Sequence, residues 1–188
     1  MPTPALNSGN VRVAGTGSLW KADLGTALPA DSTTAWGSGF VNLGYATDGF
    51  SVKQSLKKQS IPAWQRLGSL RSIVTELIRS ITFEALESKL ETVSLAWGGA
   101  TVVPGLAGIY TLDIPEGQLT DFILGIDWSD GTVTQRLVVQ RASLLSLPEM
   151  KFVRTDALRY PFEVEALVPD DGTKSILPYG VDSAVSGV

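Results

Sequence analysis

The sequence predicts a mainly β fold, a sandwich or barrel with one short flanking α-helix. Three observations carry this. The 19 Gly and 10 Pro are spread along all 188 residues, which is the punctuation of many short strands. Alternation of apolar and polar residues recurs, most clearly where Tyr160, Phe162, Val164, Ala166 and Val168 are interleaved with Glu163 and Glu165, as a half-buried strand requires. Only one segment, about 88–97, carries a helix start, a helical stripe and a stop together. A 44% apolar fraction excludes a disordered chain, and the length suits one domain with arms.

In chain order, residues 1–9 lack periodicity and read as an N-terminal arm. Val11 and Val13 open a short strand that bends at Gly15-Thr16-Gly17 and continues through Trp20. Residues 25–35 read as a loop. Phe40-Val41-Asn42-Leu43-Gly44-Tyr45 reads as a strand, and Asp48-Gly49 as the hairpin turn into Phe50-Ser51-Val52, since Gly supplies the positive φ such a turn needs. Residues 54–69 show no sustained pattern and include Pro62. They read as a long loop, a rarity in compact domains unless it has a job.

Ile73, Leu77, Ile81 and Ala85 fit either period, but the repeated Ile, Thr and Val favour one long strand. Ser88-Lys89-Leu90-Glu91 has the form of a capping box, with Leu90, Val93, Ala96 and Trp97 on one helical face and Gly98-Gly99 as the stop. Strands follow from Gly108 to Ile114, from Phe122 to Trp128 with a turn at Ser129-Asp130-Gly131, then from Val133 to Arg141, and finally the 160–168 alternation. Core packing is expected of Trp97 and Trp128. Residues 170–188 read as a C-terminal arm, leaving 10–169 as the β domain.

The chain has no Cys and no His. A disulfide framework, a Cys- or His-ligated metal site, a Ser-His-Asp triad and a Cys-His dyad are excluded on composition. No Walker A segment, dinucleotide fingerprint or Gly-x-Ser-x-Gly elbow is present. Asp170-Asp171 before Gly172 reads as a solvated turn. No catalytic residue, metal ligand or cofactor site is expected, and the protein reads as a non-enzyme. The N-terminus lacks the pattern of a signal peptide, and no apolar run is long enough to span a membrane. A soluble protein made in a cytoplasm, without membrane insertion, is the expectation.

Charge is segregated along the chain. Lys53, Lys57, Lys58, Arg66 and Arg71 fall in a stretch without an acid, and Asp113, Glu116, Asp121, Asp127 and Asp130 in one without a base. Unlike patches on one chain can mate head-to-tail between copies, closing a ring or propagating a fibre. The basic stretch also holds Ile61, Pro62, Trp64 and Leu67, and apolar side chains among exposed bases suit an interface anchor. The expected inter-subunit surface is therefore Lys53, Lys57, Lys58, Ile61, Pro62, Trp64, Arg66 and Leu67. A second reading is a glycan-binding β-sandwich using Trp20, Trp36 or Trp64.

The order of elements resembles the major tail tube protein of long-tailed, non-contractile bacteriophages, especially those of actinobacterial hosts. The resemblance lies in Asn10-Val11-Arg12-Val13-Ala14-Gly15-Thr16-Gly17-Ser18-Leu19-Trp20, in Gly25-Thr26-Ala27-Leu28-Pro29 with its loop to Trp36, and in Phe40-Val41-Asn42-Leu43-Gly44-Tyr45 with Asp48-Gly49. It continues in Ile81-Thr82-Phe83-Glu84-Ala85-Leu86-Glu87 running into the helix, and in Tyr160-Pro161-Phe162-Glu163-Val164-Glu165-Ala166. The resemblance implies a β-sandwich of the tail tube type with a long inter-subunit loop and extended arms. It further implies six-membered rings stacked into a hollow tube. The tube would enclose the tape-measure protein, meet terminator and distal tail proteins at its ends, and pass DNA into the host without binding it. A conduit of that kind needs an acidic lining, and Glu76, Glu84, Asp121 and Asp127 are the candidate lumen-facing residues. Another tail or head decoration or completion protein is the remaining alternative.

Overall fold

The computed structural model describes residues 7–186, with the side chains of Arg66 and Ser186 outside the description; the predicted 1–9 arm therefore lies largely outside the described residues. The β-branched and aromatic runs do form strands: β1 (Thr16–Asp23), β2 (Val41–Asn42), β3 (Ala46–Ala63), β4 (Arg66–Ala85), β5 (Thr101–Pro104), β6 (Tyr110–Asp113), β7 (Phe122–Asp130), β8 (Val133–Leu144), β9 (Tyr160–Ala166) and β10 (Ile176–Val181). Helix α1 (Leu90–Ala96) follows β4, and a single turn, α2 (Ser183–Ser186), follows β10. The protein is mainly β, an antiparallel β-sandwich with one short flanking helix. No helix among the described residues is long and apolar enough to cross a membrane.

The main sheet has eight strands in the order β2-β1-β7-β8-β9-β4-β3, with β10 also on β8, and β5 and β6 form a separate two-stranded sheet. Leu19, Leu124, Ile126 and Val139 from one half of the main sheet share a single core with Ile81, Phe83, Phe162 and Val164 from the other, so the sheet curls over itself. The rings of Phe83 and Phe162 lie 5.2 Å apart. The curl is set by a β-bulge. Phe122 pairs with Ala142 and Leu124 with Val139, one more step along β8 than along β7. A bulge bends its strand and leaves one residue unpaired. Before it Leu137 and Val139 face the core, and after it Ala142 and Leu144 do. The first half of β8 pairs with β10 and the last three residues with β9.

Several expectations are corrected here. Asp48-Gly49 is no hairpin turn. It is a bulge within β3 between the pairs Ala46–Ala85 and Phe50–Phe83, with Gly49 at φ +81°; the positive φ is present but serves a kink. The 40–45 strand shrinks to Val41–Asn42. The capping box does not form: Lys89 occupies the N-cap without a side-chain bond, and the Ser88 hydroxyl is 2.8 Å from the Tyr160 hydroxyl. The buried helix face is Thr92, Leu95 and Ala96, fixed by the Thr92 hydroxyl donating to the Leu43 carbonyl at 3.2 Å. Trp97 is 38% exposed and Trp128 is half-buried on the wall of a groove; neither belongs to the core. The predicted C-terminal arm contains β10, paired with β8 from Ile176↔Val139 to Val181↔Thr134.

Candidate assembly surfaces

The most prominent surface is the hairpin of β3 and β4. Strand β9 accompanies β4 only over Ser80–Ala85. Beyond the Lys53↔Ser80 pair, β3 and β4 have no strand neighbour among the described residues except each other. The segment 53–63 alone extends about 35 Å at the ordinary strand rise. This corrects the loop reading of 54–69, which is a paired arm closed by a turn at Trp64 and Gln65. The pattern was absent because residues 51–60 are exposed on both faces of the ribbon, so nothing demands period two. Register shifts after Lys57 and around Pro62 place the proline at an irregularity beside the turn, where a missing N–H is tolerated.

The predicted interface residues sit on this arm. Lys53, Lys57, Lys58, Ile61 and Pro62 are exposed. Trp64 is 98% exposed and Leu67 fully so. Arg66 is placed by its backbone, its side chain lying outside the described residues. Leu56 and Leu77 face each other across the ribbon, half-exposed like Val52 and Val74. Lys57 is paired with Glu76 at 2.5 Å, whereas Lys53, Lys58 and Arg71 make no ion pair among the described residues.

The four acidic candidates are dispersed, and each has a basic partner. Glu76 lies on the arm itself, against Lys57. Glu84 accepts from Arg159 at 3.0 Å and from the Thr47 hydroxyl at 2.9 Å. Asp121 meets Arg141 at 2.7 Å. Asp127 takes two bonds from the buried Arg136, at 2.7 and 3.1 Å, and one from the Trp36 indole at 2.5 Å. The run from Asp113 to Asp130 is thus no single patch in the fold. Asp130 accepts from the Val13 amide. Asp113 and Glu116 alone of that run have neither an ion pair nor a side-chain hydrogen bond among the described residues.

Sequence reasoning missed the knot around Arg136. Its guanidinium also donates to the carbonyls of Asp31 and Thr34 at 2.8 and 2.7 Å, and lies 4.1 Å from the Trp36 ring, a cation–π distance. The 31–34 turn is held by the Asp31 carboxylate, which accepts from the amides and hydroxyls of Thr33 and Thr34 at 2.6–2.9 Å. Those bonds lower its pKa to about 2. Trp36 stacks near Trp20 and packs on Phe40, and a Cβ at Gly125 would overlap its ring. Two of the three tryptophans proposed as a glycan platform are therefore committed to holding the 25–40 loop on the sheet, and Trp64 alone is free.

Two further features complete the surface. A groove of about 720 Å³ runs between β1 and the start of β3, lined by Gly15, Gly17, Tyr45, Phe50 and Trp128; the two ends of the curled sheet approach there without pairing. On the other side of α1, the small sheet of β5 and β6 forms a knob whose tip carries Leu106, 88% exposed, and Ile109, 66% exposed.

The family model described as phage tail tube protein matches residues 4–177. No curated protein matches the chain.

Proposed function

The chain belongs to the phage tail tube protein family, and from that premise, a structural component of the virion tail, we propose that its copies close into six-membered rings that stack into a hollow tube. The tube encloses the tape-measure protein during assembly, meets terminator and distal tail proteins at its ends, and later conducts DNA into the host. The supporting observation is the β3–β4 arm, which is long, apolar-tipped, basic, and beyond Lys53 and Ser80 pairs with no other strand among the described residues. A two-stranded ribbon is marginal in water by itself, and a large exposed apolar tip marks an interaction site. The arm anchors one copy to the next through Lys53, Lys57, Lys58, Ile61, Pro62, Trp64, Arg66 and Leu67.

Transport follows from electrostatics instead of a reacting group. A conduit must leave phosphates unbound, and free Lys or Arg binds them. Glu76, Glu84, Asp121 and Asp127, proposed for the lining, each occupy a basic side chain and so withhold it from DNA. The formal charge of −4 per copy, repeated around a ring, supplies the repulsion.

Electron microscopy of purified protein should show stacked six-fold rings. Trp64→Ala combined with Lys53→Glu and Lys58→Glu spares the Lys57–Glu76 pair and should give a folded monomer. Unimpaired tubes from that triple variant would remove the arm as anchor. A wild-type chain that stays monomeric at all concentrations and is absent from virion tails would overturn the tube itself.

A further inference from the structure

We propose that the β5–β6 knob is the surface that receives the arm of a second copy; the inference rests on the self-assembly reading above and names the missing half of that contact. The knob is unlike the rest of the surface. Residues 92–112 contain no charged side chain, yet Val103, Leu106, Ile109 and Tyr110 within them are exposed. The knob's own hairpin is two strands of four residues each, joined through a turn that holds Ala107 at φ +55°, a conformation disfavoured for residues other than Gly. Apart from the two strands pairing with each other, its principal contact with the body is with α1. So short a hairpin lacks a core of its own, and an apolar partner would supply one.

The choice of partner follows from charge. At the base of the knob, β6 ends in Asp113, and Glu116 follows in the next loop; both are exposed and without an ion pair among the described residues. An apolar tip with carboxylates at its base is the complement of the arm, an apolar Trp64 and Leu67 tip with Lys58 and Arg71 behind it. Complementary potentials of this kind fix register and exclude wrong pairings. Contact between different patches on identical copies is heterologous, the type that builds rings and stacks.

The absence of native cysteine makes the test direct. Gln65→Cys and Thr111→Cys variants, at exposed positions that leave the Trp64 and Leu106 side chains in place, are purified separately, mixed under assembly conditions and oxidised. A cross-linked dimer forming in the mixture but in neither variant alone is the expected result. An efficient dimer from either variant alone, or no dimer from a mixture that still assembles, overturns the inference. Charge reversal gives a second reading. Lys58→Glu with Arg71→Glu, and separately Asp113→Lys with Glu116→Lys, should each raise the concentration needed for assembly about tenfold, and mixing the two should restore it. Normal assembly of the Asp113→Lys, Glu116→Lys variant alongside failure of the arm variant leaves the arm an anchor and rejects the knob as its receiver. If the wild-type chain does not assemble, the tube reading fails first and this inference with it.

Discussion

Arg136 is buried among groups that take four of its five N–H donors and one of its faces: a carboxylate, two carbonyls and an indole ring. Removing one member of such a set leaves the others unpaired, which is where polar burial becomes costly. The set depends on a carboxylate some distance from the cation. Asp31 shapes the turn whose carbonyls Arg136 reads, and its folded pKa, about 2, lies below the ordinary 3.8. A depressed carboxylate contributes stability that is fully present above its unfolded pKa and is lost as pH falls through the folded one. Stability should therefore decline between about pH 4 and pH 2, and Asp31→Asn should flatten that limb in acid denaturation followed by tryptophan fluorescence. An unchanged acid limb would show that the turn is held without the charge. None of this was readable from Asp31 or Arg136 alone, because the partners are about a hundred residues apart in sequence.

Among the elements, strands whose two faces differ were legible and strands whose faces match were not. Strand β9 buries Tyr160, Phe162, Val164 and Ala166 and exposes the intervening Pro161 and Glu163, and the sequence declares it. The arm exposes both faces, so its first strand read as a loop. Strand β7 buries both faces from Phe122 to Ile126, so its second contact, with Trp36 over Gly125, went unseen. The two interface candidates fared in the same way. The arm's bases and tryptophan were visible as composition, while the knob was hidden because a charge-free run reads as interior. Replacing residues 56–77 by a two-residue turn should leave the core intact, since the arm contributes nothing to the buried cluster there. Thermal unfolding should stay within a few degrees of wild type and sedimentation should report a monomer. Loss of the cooperative transition would mean that the arm is part of the folding unit.

For the molecule as a whole, the chain ends matter more than their composition suggested. Arg12 and Asp182 form a two-bond ion pair at 2.7 and 2.6 Å, and the arginine beside it holds the Asp182 carboxyl below its usual range. Strand β10 adds Leu177 and Tyr179 to the cluster of Ala22, Phe40, Ile123 and Val138. Truncation after residue 174 should cost about 2–3 kcal/mol, the partial burial of two large apolar side chains, measured by urea denaturation; truncation after residue 182 should cost little. Equal effects from the two cuts would contradict the assignment of β10 to the fold. The extra residue in β8 has a different kind of reach. It acts as a phase shift in the alternation: positions before Val139 and after Ala142 keep opposite counts of inside and outside. Deleting one codon between them would keep Ala142 and Leu144 inward but remove the extra residue, and with it the bend that lets β8 serve both β10 and β9, whereas the same deletion at the tip of the arm would merely slide one exposed ribbon past another.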